Sequence, residues 1–260
     1  MGRYNLTNQE WAALAPVPPT DVRGKERVDD RRVLNGIFRR LRTGAPWAEI
    51  PSRYAPVTTC GNRFRRWRKR GVWDRVLAAV SAAYDGDIQM IDATSVRMHQ
   101  HAATAKKRRP IALHGSLARQ PEHQDPRARS TRLSTPRAGP SALKLTEGQA
   151  HDRKVADDML GGLGDGQILL GDRAYDSDKR RRRLAEQGAG ASVRPMPNRK
   201  NVPAFSPFLY RYRNLVERFF SKIKHFRAIA TRYDRDPENY LASVKLAAIR
   251  IWLRTNEFTT

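Results

Sequence analysis

The chain has 260 residues and carries 50 lysines and arginines against 26 aspartates and glutamates, a formal charge of +24. A charge of this size favours a polyanionic partner, because basic surfaces attract phosphates and release their counterions, and it argues against an enzyme for a small neutral substrate. The single cysteine, Cys60, excludes an intramolecular disulfide and a cysteine-based zinc site.

The first 84 residues predict a small helical domain. Thr7 and Glu10 form a capping-box pattern, and apolar residues then recur at helical spacing. The pattern predicts four short helices, over residues 7–15, 29–42, 59–70 and 73–83. Short helices joined by tight turns are typical of a helix-turn-helix arrangement.

The third of these helices is the strongest candidate for a DNA-binding element. Phe64 and Trp67 lie three positions apart and can anchor the helix to a core. The basic residues around them are predicted to bind DNA phosphates; they are Arg63, Arg65, Arg66, Arg68 and Lys69. The alternative is a basic helix face that is merely exposed to solvent.

From residue 85 onward the pattern changes to strands that alternate with helices. Two buried strands are predicted with an aspartate at or near the end of each, namely 88–98 with Asp92 and 168–170 with Asp172. A short strand from about residue 191, a helix around residue 217 and a last helix over 239–254 follow. This alternation predicts an α/β domain with some parallel sheet over residues 85–260.

Glu217 is the single acid among seven basic residues in the segment 210–232, and two interpretations are open. At about 100° per residue, Arg213 and Lys224 project in nearly the same direction as Glu217, while the apolar residues lie on the opposite side of the helix. The simpler interpretation is an ion pair between Glu217 and Arg213, four residues apart. The alternative is a metal ligand on a surface that binds phosphates.

Three acids in this arrangement predict a metal site better than any one of them alone. A single aspartate at the end of a strand is usually a cap or a hydrogen-bond acceptor. Together, Asp92, Asp172 and Glu217 offer hard oxygen ligands that suit Mg²⁺ or Mn²⁺. Two such ions, about 4 Å apart, can activate a nucleophile and stabilise the leaving oxygen of a phosphodiester.

Other polar groups are weaker candidates. A zinc site at His99 and His101 lacks a cysteine or a clear acidic partner. Asp176 and Asp178 are expected to cap a helix. The arginine run 180–183 either binds DNA or forms a solvent-exposed helix face, and His151 and Asp152 receive no role.

The residues around Glu217 also resemble a family signature. Tyr210, Arg213, Glu217 and Lys224 are separated by two, three and six residues, as in the signature of DDE transposases of bacterial insertion sequences. Six further segments are similar to the insertion-sequence-5 family: LTNQEW, VDDRRVLNGIFRRLRTGAPW, DGDIQMIDATSVRMHQHAA, LKLTEGQAHD, ILLGDRAYDSD and PMPNRKN. The resemblance covers about residues 5–108 and 141–254.

This resemblance implies a ribonuclease-H-like fold and assigns the site. Asp92, Asp172 and Glu217 would be the catalytic, metal-binding triad, and Tyr210, Arg213 and Lys224 would contact DNA. The implied reaction is metal-dependent hydrolysis at an element end, followed by attack of the freed 3′-hydroxyl on target DNA. The implied partners are double-stranded DNA with the terminal inverted repeats, target DNA, and a second copy of the chain in a homodimer on DNA.

Two alternatives to a transposase remain open. One is a non-catalytic, sequence-specific DNA-binding protein, such as a transposon remnant, and the other is a nuclease on a related fold that cuts without joining strands. A membrane location is not expected, because the sequence has no apolar run near the roughly 18 residues that span a bilayer and no signal-peptide pattern. The predicted location is the cytoplasm, at the nucleoid.

Residues 109–140 do not fit the α/β pattern and are predicted to be mostly irregular. The segment is rich in arginine and proline, shows no strand-like run, and lies where the resemblance stops. Our hypothesis is that it is translated out of frame, so that the second and third strands are missing or disordered and this copy is inactive. The strand that carries Asp92 would then be an exposed edge. The alternative is a divergent basic loop that binds DNA.

The codons of the gene test this hypothesis. Synonymous codons for residues 113–128 and 133–140 exist whose shifted frames encode family-like residues. We therefore expect an alternative frame of the gene over 109–140 to encode a family-like β-hairpin. If neither alternative frame does so, the segment belongs to the normal reading frame.

Overall fold

The structure, a computed structural model, describes residues 4–19, 27–82, 88–99, 111–119, 138–147, 157, 159 and 163–256. The chain divides into two compact units. The helical unit draws on residues 1–80, 96–111 and 221–260, and the sheet unit on residues 81–95 and 112–220. The N-terminal helices therefore share a unit with the C-terminal residues, and the functional boundary that the sequence suggests at residue 84 stays a prediction.

The described residues form helices over the first part of the chain, followed by strands that alternate with helices. The helices are α1 (Asn8–Leu14), α2 (Asp30–Thr43), α3 (Val57–Lys69), α4 (Val72–Ala82), α5 (Asp178–Glu186), α6 (Pro207–Tyr210), α7 (Asn214–Lys224), α8 (Arg227–Ala230) and α9 (Pro237–Asn256). The strands are β1 (Ile88–Met98), β2 (Ile111–Arg119), β3 (Ala138–Glu147), β4 (Ile168–Gly171), β5 (Gly190–Val193) and β6 (Thr231–Arg232). None of these helices is both long and apolar enough to cross a membrane.

Local chemistry fixes the start of the first helix and the end of the second. The hydroxyl of Thr7 accepts a hydrogen bond from the backbone N–H of Glu10, and the Glu10 carboxylate accepts one from the backbone N–H of Thr7, which is the predicted capping box. Helix α2 ends at Gly44, whose φ of 74° favours glycine. A Cβ at Gly44 would also lie 2.9 Å from Cβ of Arg227, so this turn requires glycine for two reasons.

The core of the helical unit joins N-terminal and C-terminal helices. Trp47, Phe64, Trp67 and Trp73 form a chain of ring contacts with centroids 5.1–6.0 Å apart. Helix α9 packs against α2 and α3. Arg250 of α9 forms an ion pair with Glu10, and both side chains are buried. The N-terminal helices thus bury part of their apolar surface against α9.

Arg63 of α3 lies in this interior rather than on the surface. It is 6% exposed, and its guanidinium donates to the carbonyl of Val28 at 2.6 Å and to Asp30 Oδ1 at 2.5 Å. Burial raises the pKa of Asp30, although Arg63 and Arg27 oppose that shift. The prediction that Arg63 binds DNA is therefore corrected, because its donors are used inside the fold.

In the sheet unit, the described strands follow the order β3-β2-β1-β4-β5. Strand β1 pairs with β4 in parallel, and β4 pairs with β5 in parallel, with Leu170 opposite Ser192. The apolar cluster behind β4 is formed by Ile91, Leu163, Leu169, Tyr175, Leu184, Ala189 and Val193. In the helical unit, the two residues of β6 pair with Arg97 and Met98 at the end of β1.

The prediction that the second and third strands are missing is wrong. Strand β2 lies within residues 109–140, and its place between β1 and β3 means that β1 is not an edge strand. Ile111, Leu113 and Leu117 are separated by two and four positions, which fits the alternation typical of a strand. Most of the arginines and prolines that obscure this pattern follow residue 119. The expectation of irregular backbone over 120–137 lies outside the described residues.

Replacing Arg63 with alanine should destabilise the protein. The change leaves the buried carboxylate of Asp30 with Arg27 as its remaining ion-pair partner, and breaking a buried pair on one side costs about 3 kcal/mol. The matched control is Arg66→Ala on the exposed face of the same helix, which should change the free energy of unfolding by less than about 0.5 kcal/mol. Urea denaturation measures both. Equal effects would contradict a structural role for Arg63.

Candidate active site

The register of two parallel strands brings Asp92 and Asp172 together. Met90 of β1 lies opposite Leu170 of β4. Each aspartate lies two residues further along its strand direction, so the two acids occupy neighbouring positions on strands about 4.8 Å apart. Residues two positions apart also share a face of the sheet, so both acids lie on the same face. The predicted proximity of the two aspartates thus follows from strand pairing.

Glu217 reaches this site from helix α7. A short 3₁₀ turn over Arg211–Arg213 leads into the helix, and Glu217 lies in its first turn. The helix is held by buried apolar residues, which in the sheet unit are Leu215, Val216, Phe219 and Phe220. The Glu217 side chain is 54% exposed, so the prediction that it faces away from the core is confirmed.

One guanidinium contacts all three acids. Arg213 Nη1 lies 2.7 Å from Glu217 Oε1, and Arg213 Nη2 lies 3.5 Å from Asp92 Oδ2 and 3.7 Å from Asp172 Oδ2. The simple ion pair between Arg213 and Glu217 is therefore present. It does not account for the two aspartates, which converge on the same cation from separate strands.

Backbone N–H groups orient the two aspartates. Asp92 Oδ1 accepts a hydrogen bond from the N–H of Ala93 at 2.9 Å, and Asp172 Oδ1 accepts one from the N–H of Ala174 at 2.9 Å. Asp172 thereby caps the 3₁₀ turn Arg173–Tyr175. In both residues the Oδ2 atom faces Arg213. The site thus presents one oxygen from each aspartate and one from Glu217 to a common centre.

The electrostatics of this centre favour a cation. Burial raises the pKa of Asp92, and the nearby carboxylates of Asp172 and Glu217 raise it further, although the Ala93 hydrogen bond and Arg213 oppose them. Burial disfavours the charge of Arg213, but the surrounding carboxylates hold its pKa above the ordinary arginine value. Three carboxylates thus share one guanidinium.

The donor set suits a hard divalent ion, although the acids are held apart by arginine. In the part of the chain that the structure describes, no three acidic, histidine or cysteine side chains lie close enough to hold one metal ion. The Arg213 guanidinium lies between the carboxylates in place of such an ion. The ligands themselves are carboxylate oxygens, which Mg²⁺ and Mn²⁺ prefer. The chemistry of these ligands therefore suits a divalent metal ion, while in this structure Arg213 lies among them.

The structure describes some of the remaining histidine and arginine candidates and shows what they contact. His99 packs its ring 4.7 Å from the ring of Tyr233, and His101 lies outside the described residues, as do His151 and Asp152. In the arginine run 180–183, the first two side chains bind acids within the sheet unit: Arg180 contacts Asp157, and Arg181 contacts Asp176.

Asp176 has a role that the sequence did not reveal. Its side chain is fully buried, and it pairs with Arg181 at 3.0 Å and with Arg199 at 2.6 Å. Burial opposes its charge, but these arginines and the N–H of Met196 hold its pKa below the usual value. It does not cap α5, whose N-cap is Ser177 and whose first residue is Asp178. The signal available in the sequence was Arg199, which lies within the family-like segment PMPNRKN.

The predicted DNA-binding residues separate into exposed and paired groups. Arg65, Arg66 and Lys69 are exposed on α3, and Lys224 is exposed at the end of α7. Arg68 is partly buried and pairs with Asp236 at 2.8 Å and with Glu238 at 2.7 Å. Tyr210 stacks on the active-centre arginine, with the guanidinium carbon of Arg213 5.9 Å from its ring centroid.

Two family profiles match the chain and together cover most of it. Residues 6–77 match a family described as "Putative transposase of IS4/5 family", and residues 83–252 match the "Transposase DDE domain". DDE transposase domains generally depend on divalent metal ions. The second match includes all three acids and the arginine between them.

Individual relatives agree with these matches. The chain is 35% identical over 116 residues, 44% of its length and 89% of the relative's, to a "Putative transposase for insertion sequence element IS6501" of Brucella ovis. It is 32% identical over 111 residues, 37% of its length and 76% of the relative's, to an IS402 insertion-element protein of 16.2 kDa from Burkholderia cepacia. Among solved structures, a piggyBac transposase synaptic complex with hairpin DNA aligns with a TM-score of 0.44 at 8% identity, covering 96% of this chain and 71% of that one.

Replacing Arg213 with glutamine should destabilise the metal-free protein at neutral pH. The three carboxylates then repel one another without a compensating cation. Burial raises the pKa of Asp92, so protonation of this acid removes part of the repulsion, and the difference from the parent protein should shrink as the pH falls. Added Mg²⁺ should raise the melting temperature of the variant more than that of the parent protein.

The control is Arg218→Gln, an exposed arginine on the same helix. It should show neither the pH dependence nor the additional Mg²⁺ response in thermal denaturation. If Arg213→Gln and Arg218→Gln behave alike, Arg213 does not balance the charge of the three acids.

Proposed function

The chain belongs to the transposase DDE-domain family, and we propose that Asp92, Asp172 and Glu217 are the catalytic residues with which this insertion-sequence transposase cleaves and joins DNA. The observation that supports this assignment is their convergence on Arg213 from two strands and a helix. An ion pair for stability alone needs one acid. Three acids around one cation are the arrangement expected of a site that exchanges this cation for metal ions.

We propose a ribonuclease-H-like topology for the sheet unit. The order β3-β2-β1-β4-β5 and the parallel pairing of β1 with β4 support it. In this topology the first strand lies at the centre of the sheet and carries the first acid. The neighbouring strand β4 carries the second acid at its carboxyl end, where ligands of parallel sheets usually bind.

We propose that the acids hold two Mg²⁺ or Mn²⁺ ions. The Oδ2 atoms of Asp92 and Asp172, which face the common centre, and the carboxylate of Glu217 would be the ligands, while the Oδ1 atoms accept backbone hydrogen bonds. When bound, such ions activate the attacking oxygen and stabilise the leaving oxygen of a phosphodiester. The backbone hydrogen bonds keep both aspartates aimed at the same centre before any ion binds.

Arg213 would then change its partner. Once the acids bind metal ions, its guanidinium is free to bind a non-bridging oxygen of the DNA phosphate, for which its geometry is suited. The Tyr210 ring lies beside Arg213, with the guanidinium carbon 5.9 Å from the ring centroid, and would contribute a cation–π contact to it. Lys224, two turns after Glu217 on α7, supplies a second positive charge for the phosphate backbone.

We propose that α3 binds the DNA of the element ends. Arg65, Arg66 and Lys69 are exposed on this helix, while Phe64 and Trp67 anchor it in the core. The partners proposed are the terminal inverted repeats, target DNA and a second copy of the chain on paired ends. The proposed location is the cytoplasm, at the nucleoid, because the proposed substrate is DNA.

A non-catalytic remnant of a transposon is the alternative function. The predicted absence of the second and third strands supported this alternative. The structure contains β2 and β3, which removes that support. A nuclease that cuts without joining is distinguished by its products. Hydrolysis alone releases cleaved DNA, whereas a transposase also joins the 3′ end to a second duplex.

Replacing Asp92 or Glu217 with alanine should lower the rate of metal-dependent DNA cleavage by about a thousandfold or more, since each acid would supply a metal ligand. DNA affinity should stay unchanged or rise, because a negative charge is removed. The measurement is a gel assay of cleavage and joining with Mg²⁺ and a duplex that carries an element end, together with a binding assay on the same duplex.

The matched control is Glu186→Ala, which removes an exposed acid elsewhere in the sheet unit and should retain activity. A Glu217→Ala variant that cuts at the rate of the control would refute the triad. A parent protein that binds the duplex but never cuts it would favour the non-catalytic alternative, and cleavage without joining would favour the nuclease.

Replacing Arg65, Arg66 and Lys69 together with glutamine should lower the salt dependence of DNA binding. Each phosphate contact contributes about 0.9 to the slope of log K against log salt, so the slope should fall by about 2 to 3. The full chain is the appropriate protein, because α9 covers part of the N-terminal helices. The control, Arg53→Gln, changes an exposed arginine outside α3. An unchanged slope in the triple variant would place the DNA-binding surface elsewhere.

A further inference from the structure

A cavity in the helical unit is lined by residues that the active centre does not use. Its volume is about 270 Å³. It adjoins a more open space of about 500 Å³, and Tyr4, Arg42 and His225 line both. We call the two together the basic cavity. Its size is of the order found for small-molecule sites.

Some of the residues that line the basic cavity are apolar and aromatic. Tyr4, Phe38, Phe226 and Ile251 line the smaller space. Phe38 and Phe226 are buried, so their rings are fixed by the core, whereas Tyr4 is partly exposed at the entrance. Fixed aromatic walls in a space of this size suit one flat ring system.

The same lining is also strongly cationic. The basic residues that line the two spaces are Arg42, Lys222, His225, Arg227, Arg250 and Arg254. The charge of Arg250 is balanced by buried Glu10. Arg42 lies over the Phe226 ring at 5.3 Å, and no described acid forms an ion pair with Arg42, Lys222 or Arg227. None of the described residues that line the two spaces is acidic, so the basic cavity attracts an anion.

We propose that the basic cavity binds a single unpaired nucleotide. The flat base would lie against the aromatic and apolar lining residues, among them Tyr4, and the phosphate would bind Arg42 and Lys222. A phosphate alone would leave the aromatic space unused, and a neutral ring alone would leave the cations unsatisfied. A base within a duplex is also excluded, because its faces are covered by its neighbours.

This proposal does not depend on the catalytic triad. The nucleotide could be a free nucleoside monophosphate or the unpaired terminal nucleotide of a DNA strand, since both present the same base and phosphate. Failure of the triad assignment would leave nucleotide binding intact. Failure of nucleotide binding would leave cleavage intact, and Asp92→Ala should bind nucleotide as the parent protein does.

Calorimetric titration of the full chain with thymidine 5′-monophosphate tests the shared chemistry, with inorganic phosphate and thymidine as partial ligands. The nucleotide should bind more tightly than either. Arg42→Gln should weaken its binding about tenfold, because it removes a charged hydrogen-bond donor. Tyr4→Ala should weaken it about fivefold, because it removes a stacking face. Arg53→Gln, which removes the same charge outside the cavity, should have no effect.

A second measurement distinguishes the two sources. Duplexes of equal length with a blunt end or with one unpaired 3′ nucleotide are compared in a binding assay. A preference for the overhang that Arg42→Gln abolishes identifies a DNA end as the ligand, and monophosphate binding without that preference identifies a free nucleotide. The proposal is overturned if phosphate binds as tightly as the nucleotide, or if Arg42→Gln and Tyr4→Ala match Arg53→Gln. Circular dichroism and thermal melting confirm that each variant is folded.

Discussion

The parallel pairing of β1 with β4 is the constraint on which the active centre depends. It fixes Asp92 and Asp172 at neighbouring positions, where two negative charges repel each other. The fold accepts this repulsion because Arg213 lies between them and contacts Glu217 as well. The guanidinium offsets this repulsion and keeps the three acids near a common centre.

The surrounding sheet unit holds this register tightly. A Cβ at Gly171 would lie 3.3 Å from Cβ of Tyr175 and 3.4 Å from Cγ2 of Ile91, so the residue before Asp172 has little room for a side chain. Beyond the 3₁₀ turn, the buried carboxylate of Asp176 binds Arg181 and Arg199. Arg181 also donates to the carbonyls of Ala191 and Val193 in β5. These contacts connect the turn after Asp172 to the next strand, and they limit the movement of the aspartate.

The sequence predicted the elements that have a strong local signal. The capping box at Thr7, the strand 88–98 and the exposed direction of Glu217 follow from periodicity and capping chemistry, and the structure shows all three. Strand β2 was missed because the composition of residues 109–140 outweighed a short alternation of apolar residues. Arg63 was misassigned because a helix with many arginines does not reveal which one meets a buried acid. Such a partner, here Asp30, lies 33 positions away in the sequence.

The distribution of charge separates the two functions of the molecule. Interior pairs such as Arg63 with Asp30 and Arg250 with Glu10 remove equal numbers of acids and bases, so the excess of +24 belongs to the other residues. The active centre has the opposite balance, with three acids around one arginine. In the proposed function, a divalent cation would be attracted to the three acids, while the basic residues elsewhere would attract the phosphates of DNA. The balance of charge, negative at the three acids and positive over the chain as a whole, is consistent with both partners.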